Sequence, residues 1–64
     1  TKEKIIRDAI ATCADANGVA DRNAVLTEIG RQGIEAGQAE DLLEKMVQSG
    51  ELLRPRGYDT LMVA

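Results

Sequence analysis

The stretch that most constrains this chain is residues 38–58, QAEDLLEKMVQSGELLRPRGY. In it Ala39, Leu42, Leu43, Met46 and Val47 recur at i, i+3, i+4, i+7 and i+8, the spacing that gathers apolar side chains on one stripe of an α-helix. A helix of that kind has to lie against a core. Gly50 stands where such a helix reverses through a left-handed residue, and Glu51-Leu52-Leu53-Arg54 follows at once with the branched apolar pair of a strand. Pro55-Arg56-Gly57 turns the chain, and Asp59-Thr60-Leu61-Met62-Val63 reads as the returning strand. The expectation is a helix over 36–49 feeding a hairpin over 51–63.

Two helical segments precede it. Residues 2–16 carry Ile5, Ile6, Ala9, Ile10 and Cys13 on one face, with Thr1 as a cap, Glu3 and Arg7 as an i,i+4 pair, and Asn17-Gly18 as the stop. Val19 and Ala20 form an extended link, of the kind that pairs as a third strand beside a hairpin. Asp21 then caps a second helix over 22–32, with Val25, Leu26 and Ile29 facing inward and Gly30 and Gly33 breaking it. Ile34 is expected in the core. Glu35 takes the cap position of the third helix, and Gly37 weakens its first turn. The fold class is therefore mainly α with a small β-hairpin. It reads as a single winged helix-turn-helix domain over 1–64, three helices followed by a C-terminal two-stranded wing, and as the C-terminal fragment of a longer protein.

Size and composition narrow what such a domain can do. At 64 residues the chain is near the lower limit for a core without disulfides or metals, although 44% apolar residues make one feasible. Tyr58 is the only aromatic residue, so the stacking platforms used by single-strand binders are missing. The formal charge of -3 is the wrong sign for a domain that neutralises several phosphates. Cys13 has no partner for a disulfide, lies at an apolar helical position and suits a reducing cytosol. No apolar run reaches membrane-spanning length and no signal pattern opens the chain, which points to a soluble protein without a membrane partner.

An enzyme reading finds little to stand on. The chain has no His, no base to pair with Cys13, no phosphate loop and no metal-ligand spacing, so no catalytic, cofactor-binding or metal residue is assigned. Glu40, Asp41 and Glu44 cluster on helix three and read as a solvated face rather than an acid/base pair. DNA recognition by that helix meets the same acids. Its outward residues Gln38, Glu40, Asp41, Glu44, Lys45 and Gln48 hold three carboxylates against one cation, which a polyanion repels. They suit a protein docking face instead, formed by Glu40, Asp41, Glu44 and Gln48. The wing is different: Arg54 and Arg56 flank Pro55 with Tyr58 close behind, either as weak phosphate contacts or as charges that keep an edge ribbon unpaired. Lys2, Lys4 and Arg7 form a second basic cluster that a solvated helix end explains equally.

Residues 19–63, VADRNAVLTEIGRQGIEAGQAEDLLEKMVQSGELLRPRGYDTLMV, resemble the C-terminal winged-helix domain of archaeal minichromosome maintenance (MCM) proteins, the replicative DNA helicases. The resemblance rests on helix two through the end, and most on Gly50-Glu51-Leu52 followed by Arg54-Pro55-Arg56-Gly57-Tyr58 and a final apolar strand. It implies a parent that unwinds DNA with ATP and magnesium, neither of which this fragment binds. It implies a monomeric domain tethered behind the parent's hexameric ATPase ring, in an archaeal cytoplasm at the nucleoid. There the domain tunes ATPase and unwinding activity, contacts initiator proteins of the origin-recognition type, and touches DNA weakly at most. A short tether raises effective concentration to about the mM range, which makes weak contacts useful. Lys45, Arg54, Arg56 and Tyr58 are the positions carried over as DNA or partner contacts. Two other readings stay open: a dimeric winged-helix transcription regulator, and a protein-binding winged helix of a single-strand-binding complex.

Overall fold

The computed structural model describes residues 1–64, in the order α1 (Lys2–Cys13), β1 (Ala20–Asp21), α2 (Arg22–Arg31), α3 (Ala36–Gln48), β2 (Leu52–Leu53) and β3 (Thr60–Val63). Three helices pack on a small antiparallel sheet ordered β1-β3-β2. The extended link thus pairs with the returning strand, Ala20 opposite Leu61, while Leu52 lies opposite Val63 on its other side. The β2–β3 hairpin, expected as a two-stranded wing and called the wing below, is therefore part of a three-stranded sheet.

The apolar stripes meet in one cluster. Ile6 and Ile10 of α1, Val25 and Ile29 of α2, Leu43 and Met46 of α3, and Leu52 and Leu61 of the sheet are all essentially inaccessible. Ile34 closes the corner between α2 and α3, and Cys13, Leu42 and Val47 pack at the margin. Leu53, one residue beyond buried Leu52, faces outward, as the two-residue period of a strand requires.

The helix ends follow local chemistry. Thr1 Oγ1 accepts from the Lys4 amide (3.2 Å), the Asp21 carboxylate from Ala24 (3.0 Å) and the Glu35 carboxylate from Gly37 (3.0 Å), so all three expected caps form. A Cβ at Gly37 would stand 2.8 Å from Glu35 Oε1, so a side chain there would displace the capping carboxylate. α3 ends in a Schellman motif: Gly50, at φ 84°, donates to Val47, and the Glu51 amide reaches back 2.9 Å to the Met46 carbonyl.

Three local expectations are corrected. α1 stops at Cys13 rather than 16, because Ala14 is extended and Asp15 organises the next residues, its Oδ1 accepting from Asn17 (2.8 Å) and Val19 (3.1 Å). Local side-chain capping outweighs the helix propensity of Ala14 and Ala16. Gly30 does not break α2; it is helical, and the reversal falls at Gly33 with φ 89°. Glu3 and Arg7 do not pair. Lys4 bonds Asp8 one residue along (2.8 Å), and Arg7 turns toward Glu51 (3.9 Å).

Candidate functional site

The turn between β2 and β3 sets the geometry of the wing. Gly57, at φ 105°, donates to the Arg54 carbonyl (3.3 Å), and Thr60 closes the loop through its hydroxyl, which accepts from the Arg56 amide (3.1 Å) and donates to Gly57 (2.9 Å). The turn leaves Tyr58 57% exposed.

The two wing arginines are both engaged within the chain. Arg54 Nη2 donates to the Glu44 carboxylate on α3. Arg56 Nη1 reaches Asp15 Oδ2 across the loop after α1 (3.4 Å). The wing is therefore anchored at both sides, to α3 and to the loop 14–19. Reversing either charge would set a carboxylate against Glu44 or Asp15. The amides of Val19 and Asn17 hold the Asp15 carboxyl below the usual range; desolvation opposes them, and the Arg56 guanidinium adds a further, lesser lowering.

Tyr58 collects a second guanidinium. The Cζ atoms of Arg54 and of Arg22 each lie 4.7 Å from its ring centroid, within cation–π distance. Arg22 opens α2, and its backbone amide donates to the Asp59 carbonyl (2.8 Å), which ties the end of the wing to the start of that helix. Sequence reading assigned Arg22 no role. The signal was there: the first turn of α2 contains a cation and no acid, against the preference set by the helix dipole.

The remaining expected residues separate into two groups. Glu40, Asp41, Lys45 and Gln48 are exposed along the outer face of α3, whereas Glu44 is half-buried beneath Arg54 and so leaves the proposed docking face. Lys45 forms no ion pair with Arg54's cluster. It borders a shallow groove between α1 and α3 with Lys2, Glu3, Glu35 and Asp41. No group of three or more His, Cys, Asp or Glu side chains converges as a metal site, and no helix is long and apolar enough to cross a membrane. Comparison with protein families, with curated proteins and with solved structures returned no match.

Proposed function

We propose that this chain is a winged-helix domain that serves as a non-catalytic regulatory and interaction module at the C-terminus of an archaeal MCM-type replicative helicase. Its main contacts are protein surfaces, taken by Glu40, Asp41 and Gln48 on α3, with Lys45 at the edge. The observation that carries the choice of protein over DNA is charge disposition. The outer face of α3 is acidic, and the two wing arginines that would meet phosphates are held by Glu44 and Asp15. A domain of this kind has far fewer available cations than the roughly six to ten phosphate contacts of a tight DNA binder.

The element order α1-β1-α2-α3-β2-β3, with a short strand before the second helix and a hairpin after the third, supports the winged-helix part of the reading. ATP and magnesium belong to the proposed parent's ring, and initiator proteins of the origin-recognition type are the proposed outside partners.

The test has two arms. Amide-resolved NMR titration with duplex and single-stranded DNA is expected to move only resonances of the wing and of Arg22 packed on it, and only at low salt; strong, salt-tolerant shifts along α3 would make it a DNA reader. Deleting residues 1–64 from the parent helicase is expected to change its ATPase and unwinding rates. Equal rates with and without the domain would sink the regulatory reading.

A further inference from the structure

The side-chain polar atoms that are buried without a hydrogen-bond partner number two, Arg22 Nε and Arg54 Nε, and both belong to the pair of guanidinium groups on Tyr58. Buried donors without acceptors are costly and rare in folded chains, so two at one ring call for an explanation. Arg22 is the sharper case. It is nine-tenths buried, and the arginine side-chain hydrogen bonds of the chain run from Arg54 to Glu44 and from Arg56 to Asp15, none from Arg22.

No carboxylate neutralises Arg22. Asp21 precedes it but turns its carboxylate to the Ala24 amide, and Asp59, whose carbonyl takes the Arg22 amide, makes no ion pair with it. Glu44 is the one acid paired within the cluster, and it is taken by Arg54. Of the two guanidinium groups on the ring only Arg54 has a carboxylate partner, so Arg22 stands without an ion pair at the start of a ten-residue helix whose free amide end is met by the Asp21 cap. The cation–π contact holds Arg22 in place but accepts none of its N–H groups.

We infer that Arg22 and Arg54, aligned on Tyr58, form a single-phosphate binding site in which Arg22 supplies the unpaired N–H groups and Arg54 is shared with Glu44. Planar guanidinium groups match the oxygens of a tetrahedral phosphate in paired hydrogen bonds, which a lysine cannot reproduce. The phosphate comes either as the free ion or as one unit of a nucleic-acid backbone. The site needs only side chains of this chain and stands whether or not the helicase reading does. One phosphate gives weak, salt-suppressed binding, consistent with a domain that does not hold DNA by itself.

The test follows the Nε–H resonances of Arg22 and Arg54 by NMR during titration with inorganic phosphate, at ionic strength held constant with chloride, and separately with a short oligothymidylate. Saturable shifts of both Nε–H signals with phosphate are expected, together with Tyr58 ring shifts. If the oligonucleotide saturates at least tenfold lower than inorganic phosphate, the backbone is the source; equal saturation per phosphate assigns the free ion. Arg22→Met, which keeps the aliphatic stem, is expected to abolish the response, and Arg22→Lys to weaken it at least tenfold. Flat wild-type titrations, or an unchanged response in a folded Arg22→Met protein, would overturn the site. The wild-type titration decides alone if that variant fails to fold.

Discussion

Arg54, on the turn after β2, closes on Glu44 ten residues earlier in α3, so one ion pair fastens the wing to the helix beneath it. The pair is partly shielded, with the two side chains 24% and 39% exposed, and Arg54 also lies on Tyr58. Its worth therefore exceeds that of a fully solvated pair, while its desolvation cost stays moderate. The same pair competes with any outside anion for Arg54.

Glu44→Gln keeps a hydrogen-bond acceptor and removes the charge. It is expected to lower stability by about 1 kcal/mol in urea denaturation, the upper end for an ion pair that solvent still reaches. It is also expected to strengthen low-salt binding of phosphate or single-stranded DNA, because Arg54 is released. An unchanged urea midpoint together with unchanged binding would mean that the pair contributes to neither. Arg54→Glu faces Glu44 with a like charge and is expected to destabilise more than Glu44→Gln does.

Two glycines make a matched test of backbone conformation. Gly50, at φ 84°, ends α3, and a Cβ there would meet nothing within 4 Å, so Gly50→Ala probes the left-handed conformation alone. The expected cost is about 1 kcal/mol. Gly30 sits inside α2, also with open space at its Cβ, and Gly30→Ala is expected to stabilise by roughly 0.5 to 1 kcal/mol. Thermal melts of the two variants should move in opposite directions.

Much of this was legible in the sequence because the apolar period of each helix is clean and the caps are good ones. Thr1, Asp21, Glu35 and Gly50 all do what their residue types favour. What the sequence hid was side-chain pairing across elements. Glu44 reads as an outward acid on helical spacing alone, and only the return of the wing brings Arg54 onto it. Asp15 reads as the last turn of a helix, yet it bonds two amides ahead of it and Arg56 from 41 residues away. Long-range pairs of this sort leave no periodic trace. Arg22 did leave one, as a cation on the wrong end of a helix.

Asp15 makes the acid limb of the stability curve testable. Its carboxyl titrates below the ordinary value because the Val19 and Asn17 amides, and then Arg56, favour the charged form. A group whose folded pKa is depressed contributes stability that is fully present above its unfolded pKa, about 3.9 for Asp, and lost as pH falls through the lower folded value. Asp15→Asn removes that titration. The variant is expected to be less stable than the parent at neutral pH and to show a shallower further loss below about pH 4. Urea midpoints measured from pH 7 down to pH 2 check both. Parallel curves for the two proteins would show that Asp15 is not a source of the acid sensitivity.

Leu43 and Leu53 test whether the core has been assigned to the correct faces. They are the same residue type, ten positions apart, and differ in where the fold sends them: Leu43 is 1% exposed in the centre of the α3 stripe, and Leu53 is 46% exposed on the outer side of β2. Leu43→Ala removes methyl groups packed against the α1 and α2 stripes and leaves a cavity that a domain this small relaxes only in part. The expected loss is about 2 to 5 kcal/mol, a large share of the stability available to a chain of this size and enough to unfold it at moderate temperature. Leu53→Ala deletes the same atoms from a surface position and should stay within about 0.5 kcal/mol of the parent. Urea denaturation of both, followed by far-UV circular dichroism, separates the outcomes. Equal losses would mean that a further surface covers Leu53 on β2, while an unmoved Leu43→Ala melt would mean that the α3 stripe does not face the core.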